Sequence, residues 1–222
     1  MEYQLIEGDI AKISLANGKA NAVSLELAQE FMGLLDRAKS ESKGILLCGH
    51  AGMFSAGFDL KVMATGPEAA NAMVGQGMLL LEKLYGHPHP VVIACEGHAI
   101  GMGIFLLLAA DYRIGATGQS VFKLPETAID MPFNTTLKIL AKTHIDPLHH
   151  SRAIIQSQGY SAEEAANNGM LDEACAAVEV LDRAMAKVKE LSELPAKRFE
   201  ENKLFIREDA LKAIHDSLHA NG

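Results

Sequence analysis

Two small-residue stretches carry the first chemical signal: Phe54-Ser55-Ala56-Gly57-Phe58-Asp59-Leu60-Lys61 and Gly97-His98-Ala99-Ile100-Gly101-Met102-Gly103. Each follows an apolar run that reads as a buried strand, Ile45 to Cys48 before the first and Val91 to Cys95 before the second. Small residues let a ligand approach the backbone closely. Two such loops at strand ends can aim two backbone N–H groups at one oxygen, an oxyanion hole that serves chemistry through an enolate or a tetrahedral anion. A third residue could work with them. Glu126 follows Val121-Phe122-Lys123-Leu124-Pro125, at the end of an expected strand. A carboxylate between apolar segments is either a cap or ion-pair member or, if partly buried, a base whose raised pKa suits work near neutral pH. His98, inside the second stretch, either contacts a ligand or makes a structural hydrogen bond. Asp59 holds the first loop or faces a ligand; Glu96 reads as an exposed strand end and Asp111 as structural.

Other chemistries fit less well. Gly101-Met102-Gly103 supplies the G-x-G of a dinucleotide fingerprint, but the third glycine position is Leu106. There is no P-loop and no G-x-S-x-G elbow, and Ser55 has no evident His/Asp partners. Among the nine histidines, His144, His149 and His150 cluster and His87 and His89 flank Pro88, but none has H-E-x-x-H spacing or a nearby cysteine pair. They read as solvent-exposed, with no metal site. The three cysteines, Cys48, Cys95 and Cys175, are scattered and odd in number, which suits reduced core residues in a cytoplasmic protein.

The elements that must position these residues follow from periodicity. Residues 2–15 read as a hairpin turning at Glu7-Gly8-Asp9. Ser24 caps an expected helix from Leu25 to Lys39, with Leu27, Phe31, Leu34, Leu35 and Ala38 on one face. A strand at 44–48 precedes the first loop, and a helix runs from Pro67 to about Tyr85. The strand 91–95 leads into the second loop, followed by a helix at 103–110, a strand near 112–115 and another at 120–123. Ser161-Ala162-Glu163-Glu164 forms a capping box and Asn168-Gly169 a helix stop. One more short strand is expected between Leu171 and Val180, and a charged helical region from Leu181 onward, broken at Pro195. Alternating strands and helices give an α/β class. No sequence-level repeat is visible.

Apolar residues make up 49% of the 222 residues and charged residues 22%, enough for a sizeable core. The net charge of −8 argues against nucleic acid as a partner. The run Ile104 to Ala110 is far shorter than the ~20 residues of a membrane span. The start, Met1-Glu2-Tyr3-Gln4-Leu5, has no basic or apolar leader pattern, so no signal peptide is expected.

In this order the segments resemble the crotonase (enoyl-CoA hydratase/isomerase) superfamily over nearly the whole chain. Lys19-Ala20-Asn21-Ala22-Val23-Ser24 is similar to the family's early CoA-contacting segment, and Phe54 to Lys61 to its F-x-A-G-x-D-L/I-K loop. Gly97 to Gly103 is similar to the second oxyanion loop, Ala109 to Ile114 to the A-x-D-x-R-I stretch, and Pro125-Glu126 to the proline–glutamate step. The resemblance implies a crotonase-like spiral of ββα units over residues 1–190, with two roughly perpendicular sheets. A helical segment over 191–222 would belong to the same domain and serve trimers or pairs of trimers. It implies an acyl-CoA thioester substrate, whose CoA moiety is part of the substrate rather than a cofactor. The N–H groups of Ala56 and Met102 would hold the thioester oxygen. Lys19, Ala20, Ala22, Ser55, Ala56, Gly57, Phe58, Asp59 and Leu60 would line the CoA path, and His98, Phe105, Met131 and Phe133 the acyl pocket. Lys203 and Phe205 either touch a neighbour's CoA or belong to a plain amphipathic helix.

The departures matter as much. Family hydratases generally carry two glutamates; one position here is Phe105 and the other Glu126. The P-G-x-G-G run common in hydratases is replaced by Met131-Pro132-Phe133-Asn134-Thr135, and Met102 stands in place of a usual glycine. An apolar Phe105 cannot activate water. Glu126 alone resembles the pattern of mitochondrial-type Δ3,Δ2-enoyl-CoA isomerases of fatty-acid metabolism. The leading expectation is a shift of a 3-enoyl-CoA double bond to the 2-position. A one-glutamate hydratase, a catalytically silent acyl-CoA-binding protein and another enolate reaction, such as decarboxylation or dehalogenation, are the alternatives.

Overall fold

The computed structural model describes residues 1–219. Strands Glu2–Ile6 (β1) and Ile10–Ser14 (β2) pair antiparallel around Gly8 and Asp9, both of which take positive φ. The helix Leu25–Glu41 (α1) starts where Ser24 accepts the Leu27 N–H, and it runs two residues past Lys39. The Ser42 N–H and hydroxyl both donate to the Ala38 carbonyl and stop it there.

From here the chain lays down one strand in each of two sheets and then a helix, three times over. Gly44–Cys48 (β3) and Gly52–Ser55 (β4) lead to the short helix Leu60–Met63 (α2) and the long helix Pro67–Tyr85 (α3). Val91–Cys95 (β5) and Gly97–Ile100 (β6) lead to Met102–Leu108 (α4). Tyr112–Ala116 (β7) and Phe122–Lys123 (β8) lead to a 3-10 turn at Glu126–Ile129 and to Thr135–His144 (α5). The remainder adds Gly159–Tyr160 (β9), Ala162–Asn167 (α6, with the expected Ser161/Glu164 capping box), Glu173–Cys175 (β10), Ala177–Ser192 (α7) and Ala196–His219 (α8). One sheet has the order β1-β2-β3-β5-β7-β10, parallel except for the first hairpin. The other has the order β4-β6-β8-β9, parallel except for its last pair.

The apolar runs earn their unbroken character from this arrangement. Parallel strands covered on both faces need apolar side chains at every position. Because successive side chains alternate, Leu46, Val92, Ala94 and Ile114 pack with Val180, Ala184 and Val188 of α7. Ile45, Leu47, Val91 and Ile93 face the main core with Phe31, Leu35, Leu80 and Leu84.

Several expectations change. The two small-residue stretches are not loops throughout: Phe54 and Ser55 end β4, and Gly97–Ile100 is β6. Gly52-Met53-Phe54-Ser55 and Gly97-His98-Ala99-Ile100 are too short to show a strand period; they become strands by pairing with each other, Gly52 opposite Gly97 and Ser55 opposite Ala99. A Cβ on Gly97 would run into the Gly52 backbone, so this pairing requires glycine there. Residues 178–180 lie in α7, which begins before Leu181 and passes through 190 and 191 to Ser192; residues 220–222 of the expected C-terminal segment lie outside the described residues. The histidines are less exposed than expected: His87 is buried and packs its ring against the Leu35 carbonyl, and His144 lies beside Arg113.

Asp111 ties α8 to the sheet. Its carboxylate accepts the Val91 N–H at 2.8 Å, the Lys203 ammonium at 2.7 Å and the Arg207 guanidinium at 2.9 Å. Lys203 is thereby committed inside its own chain, where burial pulls its pKa down to about 8, and is not free to reach a neighbour's ligand. Phe205, two residues on, is 77% exposed.

Candidate active site

The first side of the site hangs on Asn21, a buried residue at positive φ. Its side-chain amide donates to the Phe54 carbonyl at 3.1 Å and its Oδ1 accepts the Asn17 N–H at 3.0 Å. Its carbonyl accepts the Ser55 hydroxyl at 2.8 Å, and that oxygen in turn accepts the Gly57 N–H at 3.2 Å. Ser55 is therefore a buried brace, not a CoA contact, which corrects its expected place on the CoA path. Asp59 holds the loop as well, capping α2 through the Lys61 N–H at 2.9 Å.

The expected oxyanion donor Ala56 is corrected by the same network. Its N–H donates to the Ala20 carbonyl at 2.9 Å and is not available to a ligand oxygen. With the Gly57 N–H on Ser55 and the Asp59 N–H on the Val23 carbonyl, the one N–H of residues 56–59 without an acceptor among the described residues is that of Phe58. The Phe58 ring points away into the core against α3. A Cβ on Gly77 would lie 2.5 Å from Phe58 Cζ, so this helix glycine makes the room.

The second side is Gly101-Met102. Gly101 takes a positive φ of 54° and ends β6; the Met102 N–H that opens α4 has no acceptor among the described residues. Gly57, at φ 92°, lies against this turn: a Cβ there would come within 2.9 Å of the Ile100 carbonyl oxygen and 3.3 Å of the Met102 nitrogen. The free N–H groups of Phe58 and Met102 thus lie just past the ends of the paired parallel strands β4 and β6.

Glu126 faces the Gly101 turn. It is only 4% exposed, and Oε2 has no hydrogen-bond partner among the described residues. A Cβ on Gly101 would lie 3.4 Å from Oε1. Burial pushes its pKa up to about 7, with its own backbone N–H pulling part of the way back. A carboxyl poised there can both take and return a proton at neutral pH. Of the cap, ion-pair and buried-base readings, the buried carboxylate is the one the geometry supports.

A cavity of about 190 Å³ joins these groups, lined by Ala56, Gly57, Phe58, Leu60, Met102, Phe105, Glu126 and Met131 among others. Glu126 is the only ionisable residue in that lining, so its carboxyl works against apolar walls. Phe105 lines the same cavity and is met edge-on by Phe133, with ring centroids 5.6 Å apart. Phe133 thus supports the wall from behind rather than lining it, a correction to its expected place in the pocket. His98 is also displaced: its Nδ1 accepts the Val121 N–H at 3.0 Å, the structural alternative, and it borders a separate open cleft with Lys19, Ala20, His50 and Met53. The Ala22 carbonyl accepts the Asn17 side-chain amide, in the segment that carries Lys19 and Ala20. The sequence reading missed Asn21 as the anchor, and Ile100, Pro125, Ile129 and Leu137 as cavity walls. Asn21 had a signal, since asparagine tolerates positive φ better than most residues; Leu137 had none, because only the packing of α5 brings it in.

This arrangement, an α/β spiral in which two adjacent strand ends leave free backbone donors beside a buried carboxylate, defines the crotonase class of fold. Residues 6–221 match the family model for enoyl-CoA hydratase/isomerase, and the chain belongs to that family. A carnitinyl-CoA dehydratase of Escherichia coli O157:H7 is 30% identical, over 96% of this chain and 88% of that protein. An enoyl-CoA hydratase/isomerase family protein from Pseudomonas syringae superposes with a TM-score of 0.95 at 33% identity, covering 99% of this chain and 95% of its own. A Mycobacterium tuberculosis protein, described both as an enoyl-CoA isomerase and as a probable enoyl-CoA hydratase, gives a TM-score of 0.91 at 31% identity over 98% of this chain and 95% of its own.

Proposed function

We propose that the protein is an enoyl-CoA isomerase that moves a 3-enoyl-CoA double bond to the 2-position. The observation that carries this reading is the single buried carboxyl in an apolar cavity, with Phe105 where a second carboxylate would otherwise hold water. Glu126 removes a proton from C2 of the acyl thioester. The electron pair moves onto the thioester oxygen, which the N–H groups of Phe58 and Met102 hold as an enolate. The dienolate then takes the proton back from Glu126 at C4, so atoms and charge balance with no water consumed. The α-proton of a thioester is far too weakly acidic for a carboxylate unless the anion is stabilised, and each oxyanion donor supplies ~3–4 kcal/mol. The CoA moiety would run from the exposed Lys19-Ala20 segment across Ala56 to the cavity.

A second reading is reversible hydration or dehydration by Glu126 alone. The likeness to a carnitinyl-CoA dehydratase favours it. One paired assay separates the two. Wild type and Glu126→Ala are each given a 3-enoyl-CoA and a 2-enoyl-CoA, with products followed by mass and ultraviolet absorbance. Isomerase activity predicts conversion of the 3-enoyl ester without mass change, falling about 10²–10⁴-fold in the variant. Gain of one water on the 2-enoyl ester as the main activity would replace the isomerase reading with the hydratase one. Ester binding with no turnover of either would point to a silent binding protein or another enolate reaction.

A further inference from the structure

Helix α8 crosses α3, and near its end it carries His215 and His219 four residues apart. That spacing sets both imidazoles on one helix face, one turn apart. Their rings lie 4.3 Å centroid to centroid, tilted by 45°. Facing them from the last turn of α3 is Glu82, whose Oε1 is 2.8 Å from His215 Nδ1. One donor atom from each of the three residues lies within 4.8 Å of the other two.

We infer that Glu82, His215 and His219 form a binding site for a zinc-type divalent transition-metal cation, which clamps the end of α8 to α3. Two imidazole nitrogens and one carboxylate oxygen are a donor set zinc takes readily, with a further position left for water. Zinc bonds of about 2.0–2.2 Å to such atoms place tetrahedral neighbours roughly 3.3 Å apart. Donors already within 4.8 Å therefore need only side-chain rotation, not helix movement. A hydrogen bond between Glu82 and His215 explains that pair by itself, but it leaves the second imidazole stacked beside the first with no role. A bound cation engages all three. The neighbouring cations do not oppose it: Lys83 is paired with Asp36 at 2.6 Å and Lys212 with Asp216 at 2.8 Å.

The site completes a division of labour along α8. Its first half is fixed by Lys203 and Arg207 on Asp111; the metal fixes its last turn to the helix whose Gly77 shelters Phe58. None of the three ligands lines the Glu126 cavity. The metal is accordingly a structural clamp, independent of the reaction proposed above.

The test uses untagged full-length protein, stripped with a chelator and titrated with zinc chloride by calorimetry, with thermal melts alongside and cobalt(II) as a spectroscopic probe. The inference expects saturation at one zinc per chain, a raised melting temperature, and visible cobalt absorption of tetrahedral intensity. His219→Ala, on the exposed face of α8, should weaken zinc binding at least ten-fold while its far-UV circular dichroism stays that of wild type; His215→Ala should do the same. Absence of stoichiometric zinc binding by the wild type would overturn the inference. So would unchanged binding in both variants, which would place the zinc on other histidines.

Discussion

At the residue scale, Glu126 shows how burial turns an ordinary carboxylate into a group that can exchange a proton near neutral pH. Its ordinary pKa of 4.5 is raised to about 7 because Phe105, Met131 and the backbone around Gly101 leave water no access to the charged form. That arrangement has a thermodynamic signature. Between pH 4.5 and about 7 the folded chain keeps a proton that the unfolded chain has released, so stability falls as pH rises through this window and levels above it. Glu126→Gln removes the titrating group. Its stability should lose this pH dependence, gaining on wild type by up to about 3 kcal/mol between pH 4 and pH 8.5, at about 1.4 kcal/mol for each pH unit of that window. Urea melts at the two pH values measure it, and parallel wild-type and variant curves would refute the buried-acid description. The residue itself stood out in the sequence as a carboxylate between apolar segments. What the sequence could not supply was the partner donor. Motif position pointed to Ala56, whereas the Ala20 carbonyl takes that N–H and leaves the Phe58 N–H open.

At the element scale, the site depends on pieces too short to have structure of their own. Strands β4 and β6 are four residues each, and they exist because each hydrogen-bonds the other and because Asn21 pins the start of the following loop. Asn21→Ala deletes a buried donor to Phe54 and a buried acceptor from Asn17 at once. The expected outcome is a loss of about 2–3 kcal/mol of stability, from groups left unpaired in the interior. Turnover should fall as well, because the Asn21 amide no longer pins the Phe54 carbonyl at the end of β4, from which the loop carrying Phe58 departs. Denaturant midpoints and isomerase rates check both; full activity in a destabilised variant would show that Asn21 holds the fold but not the donor geometry. The longer elements were legible from periodicity, α3 among them, because one face of a long helix repeats often enough to be read. In the second sheet the expected strand at 120–123 holds β8, but β4 and β6 were not legible, because four residues each carry no repeat.

At the scale of the whole molecule, no described helix is long and apolar enough to cross a membrane, and the spiral is closed by helices from the far end of the chain. Asp111 is the fastener, holding a β5 amide and two cations of α8 in a nearly dry pocket. Asp111→Ala leaves Lys203 and Arg207 buried without their counter-charge, and removing one partner of such a cluster costs about 3–5 kcal/mol. The melting temperature should drop sharply while the rate at low temperature holds near wild type, since Asp111 does not line the cavity. A thermal melt paired with an assay at low temperature tests this, and equal loss of activity in the cold would mean that α8 shapes the site directly.

The sequence by itself determined the α/β class, the long helices, the buried parallel strands and the family, because hydrophobic period and short motifs are local properties that survive without a neighbour. It also determined that Phe105 stands where the resemblance places a second glutamate, since that is a matter of residue identity. Only the tertiary structure decided which N–H groups are free, that Ser55 braces rather than binds, that His98 and Phe133 stand behind or beside the cavity, and that Glu82 meets His215 and His219. Each of those is a question of which hydrogen-bond partner or ligand arrives from a distant part of the chain. Partners separated by 23 to 133 residues leave no mark in the local pattern of either segment.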